Sequence, residues 1–212
     1  SGLSSSVVGG ASSRATGIGS IIGGGYSNRA AGNHSVLVGG VSSIASGACS
    51  YVGGGCKQIA CGAESTVVGG ASGIASGAQS FIGGGCNNFA VGDRSSVIGG
   101  FSSRTTGTQS IVGGGFCNRD IANFTFIGGG GSNLASGVSA AIAGGGCNLA
   151  GGDGSFIGGG TYNQSTGNCA TAVAGLSNFA SAEGSTVVGG FSGTASGECA
   201  FVGGGDNNTC LL

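Results

Sequence analysis

The 212-residue chain has no proline, methionine or tryptophan, a single histidine (His34) and a single lysine (Lys57). Charged residues make up 6% of it and the net charge is −1, against about 25% charged residues in an ordinary globular domain. Each shortage excludes a class. A disordered linker would carry charge and proline and few aliphatics, yet this chain is 39% hydrophobic. Collagen needs glycine at every third position together with proline. Glycine and serine interrupt every apolar stretch, so none reaches the roughly 18 residues of a membrane span. The few charges are balanced over the whole chain, which gives no footing for nucleic acid or an anionic membrane. No C-x-x-C occurs, which removes zinc-ribbon and thioredoxin readings. There is no signal-like leader and no initiating methionine, so a processed product or a piece of a longer chain is expected.

What the chain has is glycine, 54 residues of it, and a repeat. A period of 15 runs through the array 1–212 without insertion or deletion, in fourteen repeats starting at Ser5. Both ends fall mid-repeat: Ser1 fits position 12 of a preceding repeat, and Leu212 stands at position 13 of the last. Position 3 is aliphatic throughout, and position 6 is glycine in all fourteen repeats. Position 5 is glycine in thirteen, position 13 in eleven, and position 11 is alanine in ten.

A period this short is too small for a helix pair, and so much glycine disfavours helix. Positions 1 to 4 read as a short strand of Ser, Ile, Val and Phe. Positions 5 and 6 read as a Gly-Gly corner, positions 7 to 9 as a turn ending in Asn, and positions 10 to 12 as a second short strand. The expected fold is all-β: a parallel β-solenoid or β-roll of about fourteen coils, with two short strands and two corners each. Stacking at about 4.8 Å would give a rod of roughly 65 Å. The core spine is expected to be Val7, Ile22, Leu37, Val52, Val67, Ile82, Val97, Val112, Ile127, Ile142, Ile157, Val187 and Val202. Asn28, Asn88, Asn118, Asn133, Asn148, Asn163, Asn178 and Asn208 share position 9 and predict an amide ladder along one edge. A 30-residue coil stays open as the alternative, because two repeat types alternate through the eighth repeat.

Positions 2 and 4 compensate in volume. Ile21, Tyr51, Phe81, Ile111, Phe126, Phe156 and Phe201 at position 2 each accompany glycine at position 4, whereas Val or Ile at position 4 mostly accompanies Ser or Thr at position 2. Both positions lie on one strand face, opposite to the spine. Phe and Tyr on a face otherwise open to water predict burial against another chain, and these seven residues are the candidate interface.

Cys56/Cys86, Cys117/Cys147 and Cys169/Cys199 are each spaced by two repeats. A 30-residue coil would make each pair bondable. A 15-residue coil would put the partners about 9.6 Å apart, too far for a disulfide, and leave them as small buried side chains. Glu183 and Glu198 stack at position 14, and Arg14/Arg29 and Arg104/Arg119 stack at position 10. Stacked arginines suit an anion, a sialic-type acid or a partner's carboxylates. His34 and Cys49 stand one coil apart with no orienting carboxylate. The GGG runs lack the Lys-Ser/Thr of a phosphate-binding loop. An enzyme, a cofactor and a metal site are therefore not expected. Asn33, Asn123, Asn163 and Asn207 open N-x-Ser/Thr sequons and are candidate glycosylation sites in predicted corners.

The pattern Ser65-Thr66-Val67-Val68-Gly69 with Ala75 and Gly77 resembles the head repeats of trimeric autotransporter adhesins of the YadA type. The resemblance covers all fourteen repeats. It implies a left-handed parallel β-roll, three chains side by side, and adhesion to host matrix or a glycan receptor. The chain departs from the family in its 15-residue repeat, its doubled glycine corner and its nine cysteines. The expected function is a structural or adhesive segment of an extracellular or virion surface fibre, self-assembled as a homotrimer or filament. The alternative is an ice-binding solenoid, which the irregular position 12 (Thr16, Ala31, Ser46, Cys61) supports poorly.

Overall fold

A computed structural model of the chain describes residues 2–211. Ser1 and Leu212, the two residues that place the ends of the chain within the repeat, lie outside them. The described residues are all-β, with no helix, and form a parallel β-solenoid of fourteen turns, one sequence repeat to each turn. The chain divides into two compact units, Ser1–Thr105 and Thr106–Leu212, each with seven turns.

The register settles the length of a turn. Phe81 pairs with Ser96 and Ile82 with Val97 in unit 1; Ala141 pairs with Phe156 and Ile142 with Ile157 in unit 2. Neighbours in a ladder are thus a single repeat apart, and a turn built of two repeats is excluded.

Each turn has two very short strands, at positions 2–3 and 10–11, such as Phe81–Ile82 and Phe89–Ala90. A third parallel ladder of single bridges runs at position 7, through Tyr26, Val41, Cys56 and Ala71 in unit 1 and through Thr161, Leu176 and Phe191 in unit 2. The turn therefore has three sides rather than the two expected from sequence. Position 7 carries anything from Gly131 to Phe101, so it has no composition that reads as a strand.

The corners explain how the chain closes. Position 6 is glycine with φ from +79° to +106°, a region that L side chains avoid. The turn of positions 7 to 9 is left-handed at position 8: every residue there has φ of 52–57°. Position 15 is left-handed too, at 54–65°. Position 8 holds no glycine and position 15 only Gly19, Gly154 and Gly184; non-glycine residues pay about 1–2 kcal/mol there. Hydrogen bonding holds them in place. Strand amides donate forward to the next turn, as Ile21 N–H does to Ser35 (2.9 Å), whereas corner amides donate back to the preceding turn. Ser42 N–H reaches the Tyr26 carbonyl at 2.9 Å, and Cys49 N–H reaches the Asn33 carbonyl at 2.8 Å. Leaving the left-handed region would break that return bond.

Positions 1, 3, 9, 11 and 13 point inward. The predicted spine from Ile22 to Val187 is fully buried and Val202 is 5% exposed. Val7, in the first turn, is the exception at 44% exposure. Position 11 alanines face the spine across the core. Position 13 glycine answers to close approach: a Cβ on Gly47 would overlap the Gly62 carbonyl oxygen of the next turn.

Candidate functional site

No concave site forms among the described residues, so the candidate sites are the faces and ladders that the turn repeats. The first is the outward face of positions 2 and 4. Glycine at position 4 answers first to the next turn: a Cβ on Gly53 or Gly83 would overlap the Val68 or Ile98 carbonyl oxygen, and would also stand 3.3 Å from the Tyr51 or Phe81 ring. The rings of Phe126, Phe156 and Phe201 lie over Gly128, Gly158 and Gly203 in the same way, at 3.4–3.5 Å. Each ring folds down on the glycine of its own turn. Where position 4 is Val38, Val68, Ile98, Val173 or Val188, the aliphatic side chain occupies that place and is exposed. Nearly every turn thus contributes one bulky apolar group to the stripe, from one position or the other. Of the seven candidate interface residues, Phe81 is half-buried, and Ile21, Tyr51, Ile111, Phe126, Phe156 and Phe201 are exposed.

Position 5 borders this stripe. Gly24, Gly39, Gly54, Gly69, Gly84 and Gly99 have nothing within 4 Å of an added Cβ and no left-handed φ. Nothing inside the chain requires glycine there, and Ala174 occupies the position in unit 2.

The asparagine ladder exists, but it is interior rather than along an edge. Asn28, Asn88, Asn118, Asn133, Asn148, Asn163 and Asn178 are buried, and only Asn208, in the last turn, is exposed. The amides bond to backbone rather than to one another. Asn148 Nδ2 donates to Gly144 (3.1 Å) and Gly160 (3.0 Å) carbonyls, while its Oδ1 accepts Asn163 N–H at 2.9 Å. One side chain thereby gives the Gly144 carbonyl and the Asn163 amide a partner and adds a second bond to the Gly160 carbonyl, which also accepts Gly146 N–H. In unit 1 the same acceptor role falls to Ser43 Oγ and Gln58 Oε1, which take the Gln58 and Gly73 amides at 3.2 and 2.8 Å. A second set of Asx acceptors runs along position 14. Asn33, Asp93, Asn123 and Asp153 accept the N–H of Ile18, Ala78, Thr108 and Val138 at 2.8–3.0 Å. The sequence reading missed this set, although the Asx content of position 14 was its signal.

The cysteines differ from both expectations. Cys56, Cys147, Cys169 and Cys199 are exposed free thiols, and Cys86 and Cys117 are half-buried ones. With one repeat per turn, a whole turn always separates the spaced partners, and positions 7, 8 and 15 face outward. Among the sequons, Asn33, Asn123 and Asn207 are not buried. Asn163 is fully buried and its Nδ2 donates to Gly159 (2.8 Å) and Gly175 (2.9 Å), so the folded chain cannot present it for glycosylation. His34 and Cys49 are exposed at left-handed corners. No group of three or more His, Cys, Asp or Glu that could hold a metal occurs among the described residues.

One acid is buried. Asp120 takes an inward position that is alanine in most turns, and has no solvent exposure. Thr125 Oγ1 donates to its Oδ1, while Oδ2 has no hydrogen-bond partner. Burial raises its pKa from an ordinary 3.8 to about 6, against the opposing pull of the Thr125 hydroxyl.

Charge is balanced over the chain but not over its units. Unit 1 carries Arg14, Arg29, Lys57, Arg94 and Arg104 against Glu64 and Asp93, a formal +3. Unit 2 carries Arg119 against Asp120, Asp153, Glu183, Glu198 and Asp206, a formal −4. All but Asp206 fall in positions 8 to 15, so the stripe of positions 2 and 4 is free of charge. No protein-family model matches the chain, and no curated protein matches its sequence.

Proposed function

We propose that the chain is a structural or adhesive segment of an extracellular or virion surface fibre, non-enzymatic, that assembles with copies of itself as a homotrimer or filament. The resemblance of its repeats to YadA-type adhesin heads supports this, and with it a matrix or glycan receptor as the outer partner. The observation that carries the reading is the charge-free stripe of positions 2 and 4. Exposed rings such as Phe126, Phe156 and Phe201 recur along it in the register of the turns. Contiguous apolar surface of this kind marks protein association, and a second array of equal pitch matches it turn for turn.

The test is native mass by sedimentation, with and without reductant, alongside negative-stain imaging. A trimer or open filament that weakens when Phe126 and Phe156 are both replaced by Ser supports the reading. A 19.5 kDa monomer at every concentration would sink it. Thermal hysteresis would then be measured, since charge-poor repeated faces also suit an ice-binding solenoid.

A further inference from the structure

The charged side chains cluster about one side of the turn, positions 10 to 12 and the corners flanking it. In unit 1 the middle of that side is an in-register apolar ladder, Ile44, Ile59, Ile74 and Phe89, each half-buried. Arg29 pairs with Ile44 at one end and Arg104 with Phe89 at the other. In unit 2 the same side presents Leu134 and Leu149, paired in register. Its edge at position 14 holds the exposed carboxylates of Asp153, Glu183 and Glu198.

An apolar centre with a charged rim is the anatomy of an association surface, and here the two rims have opposite sign. Arg14 and Arg29 are register partners in one ladder, both exposed. Two guanidinium-bearing residues held one turn apart repel unless an anion lies between or against them. Glu183 and Glu198 are also one turn apart, at position 14. Both pairs therefore have the same pitch of about 4.8 Å, and each arginine can take one carboxylate in a charge-assisted hydrogen bond.

We infer that the position 10–12 side of unit 1 docks on the corresponding side of unit 2 of a second copy, with Arg14 and Arg29 against Glu183 and Glu198. This rests on the self-assembly reading above but uses a different face from the aromatic stripe. Pairing like units would instead set a side of formal +3 on its like, or a side of formal −2 (Arg119 against Asp153, Glu183 and Glu198) on its like.

The test is a charge swap on the full chain, read by sedimentation equilibrium, with far-UV circular dichroism to confirm folding. Arg14→Glu/Arg29→Glu alone and Glu183→Arg/Glu198→Arg alone should each weaken self-association by about tenfold. An equimolar mixture should restore it, because each variant then offers the charge that the other lacks. Wild-type association should also weaken as salt rises from about 50 mM to about 1 M. Unchanged association in both variants, or a mixture no stronger than its components, would overturn the docking while leaving the fibre reading intact. A wild-type chain that is monomeric throughout would overturn both.

Discussion

The two units share a turn and differ in what fills it. Unit 2 stacks asparagine at position 9 in five successive turns, Asn118 to Asn178. Unit 1 alternates at the same position, with Ser13, Asn28, Ser43, Gln58, Gly73, Asn88 and Ser103. The backbone geometry is the same in both, so an unbroken amide ladder is not a condition of the fold. What the position most often supplies is an acceptor for the next turn's N–H, and serine or glutamine provides one. Only the asparagine amide in addition donates to two carbonyls at the corner. Unit 2 also breaks the core rules more often, with Asp120 and Ser165 at position 11 and Ala172 in the spine. Its fuller ladder coincides with a thinner apolar core.

Truncating the spine should have the largest effect. Ile82→Ala in unit 1 and Ile142→Ala in unit 2 should each cost about 4 kcal/mol in chemical denaturation, because stacked turns cannot collapse into the cavity. A cost under about 1 kcal/mol at either site would show that the apolar spine is not what holds that unit. Next comes the ladder. Asn148→Ala should cost about 2 kcal/mol by leaving the Gly144 carbonyl and the Asn163 amide without their partners, while the Gly160 carbonyl keeps Gly146 N–H. Asn28→Ala removes the same set of bonds. Equal costs would mean that the ladder acts bond by bond, and a larger cost at Asn148 would reveal cooperativity along the continuous stack.

Asp120 should make unit 2 pH-sensitive, and unit 1 has no buried acid among its described residues. Its carboxyl holds its proton to about pH 6 when folded, whereas the unfolded chain releases it near pH 4. Its contribution to stability is therefore full below about pH 4, falls by about 3 kcal/mol as pH rises to about 6, and stays level above. Thermal melts of Asp120→Ala should lose this slope, and a wild type with no slope across that range would refute the assignment. The smallest effect belongs to position 5. Gly54→Ala should change stability by less than about 0.5 kcal/mol and with a stabilising sign, since it restricts only the unfolded chain. The reverse change, Ala174→Gly, should cost a similar amount, and a loss of several kcal/mol at either site would mean that the corner is tighter than its open surroundings.

The period, the parallel stacking and the spine were legible because burial imposes one residue class on each inward position. Ile22 to Val187 followed that rule turn after turn. The third ladder was hidden because position 7 bonds through backbone only and so places no demand on side-chain type. Asparagine at position 9 reads from sequence as a turn residue on an edge because its turn preference is more visible there than its carboxamide. The left-handed positions 8 and 15 hold Ser, Cys, Glu, Gln and even Phe124, which no propensity would select, since the return hydrogen bond sets them. The stripe of positions 2 and 4 was visible in sequence as compensating volumes. That each ring rests on its own glycine is a matter of side-chain rotamer, which composition does not carry. The charge partition was in the sequence all along, and summing over the whole chain concealed it.

Position 5 has a use of another kind. Most turns offer there a residue with ordinary backbone conformation, outward aspect and empty surroundings, one step of about 4.8 Å from its counterpart above and below. Within either unit, such sites are the marks of a molecular ruler. Side chains grafted there at chosen turns would display dyes, sugars or metal-binding groups at intervals set by counting repeats.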